Sequence, residues 1–375
     1  MAARRRRRGS GSLSAIWKAW PSAAAPRRRR RAARKVAPKV VVRAPKAAKT
    51  PAKVRGVVSA PAVKPRAPRK KAPAGRGASR AARYAGAAGS RPYHCYIPSG
   101  LRRTTGVPLL ILLHGCLQTP AEFAEATRFN QLADRHGFLV VYPEQTLTHN
   151  LQRCWNWFDA RHHERSHGEP AILAGIAREV MAERTRWRID HDRVYVAGLS
   201  AGGAMALVLG ATYPDLFAAI GVHSAPPYRS ATSRSGALTA MAGRSIVPPA
   251  HAASMSGIAP MILFQGRIDS TVRVVNAVRI TDQWRSLHER RLVGDRDPDR
   301  ITRQREITHL TASGRTSTVT RWYSASGRKL LESWQVERLA HAWSGGRKGV
   351  PFSDPQGPRA TTEMWRFLSG HRLNR

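Results

Sequence analysis

The sequence predicts an α/β fold, a mainly parallel sheet flanked by helices, preceded by a disordered basic N-terminal tail. Three observations predict it. Beyond about residue 90, short apolar runs of strand length alternate with helix-length amphipathic stretches, the pattern of parallel strands joined by crossover helices. One strand-to-helix junction is the small-residue pentapeptide Gly198-Leu199-Ser200-Ala201-Gly202. The charge is divided unevenly as well: of 64 Lys and Arg, 27 lie in residues 1–90, which hold none of the 23 acids.

Residues 1–90 are mostly Ala, Pro, Lys, Arg, Gly and Val, with almost no large apolar side chains after Trp20. Such a segment buries too little surface to offset the entropy of ordering, and its like charges repel. It therefore reads as a tail, with residues 91–375 as the folded domain. Leu13, Ile16, Trp17 and Trp20 share the i, i+3, i+4, i+7 spacing of one helical face, which suits a short surface-lying helix and equally a chance pattern. The tail's charge predicts non-specific, salt-sensitive binding to a polyanion: nucleic acid, polyphosphate, anionic lipid or a granule surface. Lys18 cuts short the one N-terminal apolar run, so no secretory signal is expected, and a cytoplasmic or granule-associated protein stays open. No apolar run approaches the ~18 residues of a spanning helix. Three cysteines, Cys95, Cys116 and Cys154, are too few for a disulfide scaffold.

In the folded part, Val107 to Leu113 and Phe138 to Tyr142 read as buried strands with a helix, Ala121 to His136, between them. A second helix opens at Glu169-Pro170 and runs to about Trp187, with Pro170 suited to a first turn. Strands follow at Arg193 to Ala197, Ala218 to Val222 and Met261 to Phe264. The Ser-, Pro-, Arg- and Gly-rich stretch over 225–257 is the expected rim or lid, and Thr361 to Leu368 a closing helix.

The chemistry is carried by Ser200. Its pentapeptide lies between the strand Val194-Tyr195-Val196-Ala197 and a small-residue helix, the strand, sharp turn and helix that lift a serine above a sheet as a nucleophile. A serine hydroxyl needs a base, and in this arrangement an acid and then a histidine follow on later loops. Asp269 stands just after the Met261 to Phe264 run, at the sheet edge where ligands bind. Its rivals, Asp215 soon after the elbow helix and Asp282 in mid-helix, do not end strands. His341 opens the Gly-rich loop His341-Ala342-Trp343-Ser344-Gly345-Gly346 after a further strand and is the expected general base, oriented by Asp269. Two backbone N–H groups should bind the developing oxyanion, one from Ala201 and one from Cys116 in Leu113-His114-Gly115-Cys116-Leu117.

Four motifs, Leu113-His114-Gly115-Cys116-Leu117-Gln118, Cys154-Trp155-Asn156-Trp157-Phe158, the elbow extended through Gly203-Ala204-Met205, and the His341 loop, together resemble the polyhydroxybutyrate depolymerase family of esterases. That family is similar to feruloyl and acetylxylan esterases and is largely extracellular. The resemblance spans about residues 93–370. It implies an α/β-hydrolase fold, a Ser200, Asp269, His341 triad and Cys116 at the oxyanion hole. It also implies hydrolysis, through an acyl-enzyme, of short hydroxyalkanoate esters, oligomers or polymer. Gln265 stands where the family often has histidine, a departure expected not to touch the triad. A feruloyl or acetylxylan esterase is the alternative of the same class, and a polyanion- or granule-binding protein the alternative of another.

Trp155, Trp157 and Trp343, on the site loops, would line an acyl pocket or pack those loops. Cys116 and Cys154 fall in loops expected to meet above the sheet and would form a disulfide in an oxidising space. His163-Glu164-Arg165-Ser166-His167 matches a zinc-protease signature in letters, but Gly168 and Pro170 argue for a loop where that site needs a helix. No metal or other cofactor is expected.

Overall fold

The computed structural model describes residues 77–101, 105–245, 258–290, 301–310 and 315–373. The pattern at Leu13 to Trp20, and residues 246–257 of the expected rim, lie outside these residues. The strands of the main sheet are β1 (Ala78–Gly86), β2 (Gly89–Ile97), β3 (Val107–Leu113), β4 (Leu139–Pro143), β5 (Ile189–Leu199), β6 (Ala219–His223), β7 (Met261–Gly266), β8 (Ile301–Leu310), β9 (Thr316–Ser324) and β10 (Lys329–Val336). They form one sheet in the order β1-β2-β4-β3-β5-β6-β7-β10-β9-β8. The six central strands, β4 to β10 in that order, run parallel. Antiparallel strands close both sides. β3, β4, β6 and β7 are buried along their whole length, which is why they read as unbroken apolar runs and not as alternating ones.

The helices are α1 (Pro120–Thr127), α2 (Phe129–His136), α3 (Gly168–Ala182), α4 (Ala201–Thr212), α5 (Arg234–Met241), α6 (Val275–Arg290) and α7 (Ala360–Leu368). The single helix expected over Ala121 to His136 is two. Arg128 adopts the left-handed conformation (φ 61°) and ends α1 by donating its N–H to Ala124 O. The break has a packing cause. Phe123 and Phe129, six residues apart, would point about 120° apart on one helix, whereas here both rings pack edge-on against Trp343, with centroids at 5.7 and 6.0 Å. Likewise α3 stops at Ala182, and Trp187 folds back so that its Nε1 donates to Val180 O at 2.8 Å.

The tail boundary needs correction. Residues 78–86, assigned to a tail reaching residue 90, form edge strand β1, paired in full register with β2 from Ala78↔Ile97 to Gly86↔Gly89. Eight of its nine residues are exposed, so backbone hydrogen bonds hold it and its Ala- and Arg-rich sequence carries no apolar alternation. Its half-buried Tyr84 packs on α3, where a Cβ at Gly175 would lie 2.2 Å from the Tyr84 ring and hydroxyl. In the expected rim, α5 covers Arg234–Met241, and Tyr228 is buried with its hydroxyl donating to His163 O at 2.6 Å.

Candidate active site

β5 runs into α4 through Ser200, held at φ 56°, ψ −118°. A non-glycine residue in that region is strained and persists only where its surroundings fix it. The glycines around it are required by close approach. A Cβ on Gly198 would lie 2.3 Å from the Gly202 carbonyl carbon, and one on Gly202 would lie 2.2 Å from Leu113 O. The elbow is therefore wedged against the end of β3, and the nucleophile candidate stands partly exposed at the carboxyl ends of the parallel strands.

Asp269 leaves β7 at the same edge. It is 4 % exposed and both its oxygens are bonded: Oδ1 accepts from Thr271 N (2.9 Å) and Val272 N (2.8 Å), while Oδ2 accepts from His341 Nδ1 (2.8 Å). With its proton on Nδ1, His341 keeps Nε2 free as a base. The rivals are elsewhere: Asp215 pairs with Arg165, and Asp282 lies in α6 beside Arg285. His341 sits four residues beyond a turn at Glu337, since β10 ends at Val336 and Arg338 takes φ 55°. That turn is seated by Gly266, where a Cβ would meet Leu339 O at 2.2 Å.

The expectation that Gln265 stays clear of the triad is corrected. Buried at the end of β7, its Nε2 donates to Asp269 Oδ2 at 3.2 Å and to Val272 O at 2.9 Å. Gln265 thus braces the carboxylate and the turn that carries it.

A second supporting residue, His223, was not singled out from the sequence. Its carbonyl accepts the Ser200 N–H at 2.8 Å, and its ring Nε2 accepts the Ser344 N–H at 3.1 Å. One buried residue therefore ties the elbow to the His341 loop. The ring stacks between Phe264 and Trp343 (centroids 5.7 and 5.1 Å), and burial, with the charge of His341, pulls its pKa down to about 3. It stays neutral, as an Nε2 acceptor must. A histidine ending an apolar strand has no sequence signature to separate it from an ordinary core residue.

The loop after β3 lies against the nucleophile, since a Cβ on Gly115 would sit 3.6 Å from Ser200 Cβ. Among the described residues the N–H groups of Cys116 and Ala201 have no acceptor. Cys116 is joined to Cys154 by a disulfide, with Cα atoms 4.2 Å apart, and the adjoining Leu117 N donates to Gln152 O at 2.7 Å. Cys95 is a buried thiol in β2, its pKa raised by burial to about 12.

The three tryptophans do not open onto the surface. Trp343 is fully buried in the core and its Nε1 donates to Thr361 Oγ1 at 2.9 Å, so it packs the His341 loop. Trp155 is fully buried against His114, and Trp157 is 3 % exposed, packed on Phe158. Large aromatic rings in these loops serve burial first. The His163 to His167 segment is turn and loop: His163 is bonded to Trp157 O, Glu164 pairs with Arg229, and His167 precedes α3 without a side-chain hydrogen bond to it. Among the described residues no group of three His, Cys, Asp or Glu is placed to hold a metal, and no helix is long and apolar enough to cross a membrane.

The sequence matches a known group over more than half of its length. A family model described as Esterase PHB depolymerase covers residues 91–306. The chain belongs to this family. Poly(3-hydroxyalkanoate) depolymerase C of Paucimonas lemoignei is 33 % identical over 255 residues, 66 % of this chain and 57 % of that protein. A probable acetylxylan esterase A of Aspergillus flavus is 30 % identical over 205 residues, 51 % of this chain and 64 % of that protein. The chain thus spans somewhat over half the length of these family relatives. The acetyl xylan esterase from Aspergillus awamori superimposes with a TM-score of 0.60 at 18 % identity, covering 78 % of this chain and 100 % of that one. The fold is that of an α/β-hydrolase.

Proposed function

We propose that this chain is a serine esterase that cleaves carboxylic esters through an acyl-enzyme, with hydroxyalkanoate esters as its substrate class. The observation that carries the reading is the His341 Nδ1 to Asp269 Oδ2 hydrogen bond of 2.8 Å, which leaves Nε2 free as a base on the loop tied by His223 to the Ser200 elbow. Ser200 Oγ attacks the ester carbonyl as His341 Nε2 takes its proton. The tetrahedral oxyanion is bound by the N–H groups of Cys116 and Ala201, each such donor being worth about 10²–10³-fold in rate. His341 then returns the proton to the departing alcohol, and water, deprotonated by the same histidine, releases the acid.

The apolar substrate class is supported by the side chains beside these groups. Leu117, next to Cys116, is 39 % exposed and Ile268, next to Asp269, is 59 % exposed, while Leu147 and Leu151 lie exposed near the disulfide loop. Exposed apolar side chains at a site favour an apolar ester over a polar polysaccharide. The test is a panel of 3-hydroxybutyrate oligomers, acetylated xylan and methyl ferulate. Oligomer turnover is expected to exceed the other two at least tenfold in kcat/KM; preference for acetylxylan or ferulate would overturn the substrate class and leave the esterase mechanism standing.

We also propose, from 27 bases and no acid in residues 1–90, that the N-terminal segment binds polyanions without sequence preference. Retention of the full chain on immobilised heparin should fall steeply and linearly on a log–log plot against salt; a flat dependence would contradict it.

A further inference from the structure

Beneath the loop after β3 lies a buried polar cluster with no part in the proton transfers above. We propose that Glu169 and Gln145, with His114 as the last link, form a relay that fixes the direction of the Cys116 N–H and so act as positioning residues for the oxyanion donor. This rests on the serine-esterase reading.

The argument begins with one peptide plane. In a trans peptide the carbonyl and the N–H point in opposite directions, so whatever holds Gly115 C=O aims Cys116 N–H. His114 Nδ1 lies 2.8 Å from Gly115 O, and its Nε2 lies 3.1 Å from Gln145 N. The Gln145 N–H has only a proton to give, so Nε2 accepts and Nδ1 carries the hydrogen that is donated to Gly115 O. The ring is neutral, since full burial draws its pKa down to about 4. Turning the Gly115–Cys116 peptide over would break this bond and present a carbonyl oxygen where the oxyanion donor stands.

Gln145 is fixed in turn. Its Oε1 accepts from Arg91 Nε at 2.9 Å, and its Nε2 donates to Cys154 O at 3.0 Å and Glu169 Oε1 at 2.5 Å. Glu169, in the first turn of α3 and 2 % exposed, also accepts from Asn156 N (2.7 Å), Asn156 Nδ2 (2.8 Å) and Arg91 Nη2 (3.2 Å). Burial alone would raise its pKa, yet His162, Arg91 and the Asn156 N–H outweigh burial and hold it below the ordinary value. The carboxylate therefore grips Cys116 from two sides. One path runs through Gln145 and His114 to the peptide bond; the other runs through the Cys154 loop and the disulfide. A buried ion pair adds little stability over a well-packed apolar replacement. What the polar cluster adds is direction, because its bonds end on the backbone of the two loops that meet at Cys116.

The experiment uses the full chain with Glu169→Gln, Gln145→Met, His114→Leu and His114→Asn. Asparagine places an amide N–H where histidine has Nδ1. Each is assayed for kcat and KM on 4-nitrophenyl butyrate and for the Ki of an alkyl trifluoromethyl ketone, whose serine adduct carries an oxyanion. Circular dichroism checks cooperative melting. Glu169→Gln, Gln145→Met and His114→Leu are expected to lower kcat about tenfold or more with KM within about twofold, and to weaken the ketone by a matching factor. His114→Asn should recover most of the loss. Should His114→Leu fail to fold, Gln145→Met makes the same comparison with the His114 links intact. Folded variants with unchanged kcat, or a lower kcat with undiminished ketone affinity, would overturn the relay while leaving the esterase reading in place. A wild-type chain that neither turns over the ester nor binds the ketone would overturn both.

Discussion

Asp269→Asn is expected to lower kcat for ester hydrolysis by about 10⁴-fold while leaving KM nearly unchanged. Oδ2 of Asp269 accepts a hydrogen bond from the His341 Nδ1–H at 2.8 Å and another from an N–H of Gln265. An amide offers either an N–H, which drives the histidine proton to Nε2 and removes the base, or an oxygen that does not balance the imidazolium. The backbone bonds from Thr271 and Val272 to Oδ1 persist with asparagine in the first orientation, its oxygen toward them and its N–H toward the histidine, so the fold should survive. Steady-state kinetics between pH 6 and 9, with a melting curve beside them, check this. A variant within tenfold of wild type would remove Asp269 from the triad and reopen the choice of acid.

The largest expected effect on stability lies far from the chemistry. Glu332 in β10 has no exposed surface and is bonded to Arg321 Nε (3.0 Å), Lys329 Nζ (2.7 Å), Arg366 Nη2 (2.6 Å) and Trp334 Nε1 (2.7 Å). It pins β9 and α7 to β10. Glu332→Gln leaves three cations around a neutral group, and breaking such a buried cluster costs about 3–5 kcal/mol. Urea unfolding at pH 7 should show it; a difference below about 1 kcal/mol would contradict this account of the cluster. The pH dependence follows from the carboxyl group. Burial would raise its pKa, but Lys329, Arg366 and Arg321 hold it below the ordinary 4.5. A group with a lowered folded pKa contributes its stability above the unfolded value and loses it as pH falls through the folded one. The gap between wild type and Glu332→Gln should therefore be full at pH 7 and narrow below about pH 4.

The sequence and the structure agree where one physical cause dominates. β3, β4, β6 and β7 are buried on both faces, so their apolar runs are unambiguous, and the elbow is legible because only small residues fit between β5, α4 and the end of β3. Positions set by tertiary context were not legible. β1 has no apolar face and exists because β2 offers it a free edge. The break at Arg128 depends on a ring, Trp343, more than 200 residues away in sequence. Trp343 itself, placed by its motif near the site, is drawn into the core by Phe123, Phe129 and His223. The bracing by Gln265 and the bridge made by His223 are equally invisible in one dimension, because a buried glutamine and a buried histidine take their meaning from what they touch.

The claim on which the rest depends is that Ser200 carries the acyl group. It is tested most directly by treating the full-length chain with a fluorophosphonate ester and reading its peptides by mass spectrometry. The account predicts one phosphonylated serine, Ser200, with modification and loss of esterase turnover advancing together, and no label in Ser200→Ala. Label on another residue, or undiminished ester hydrolysis by Ser200→Ala, would contradict it.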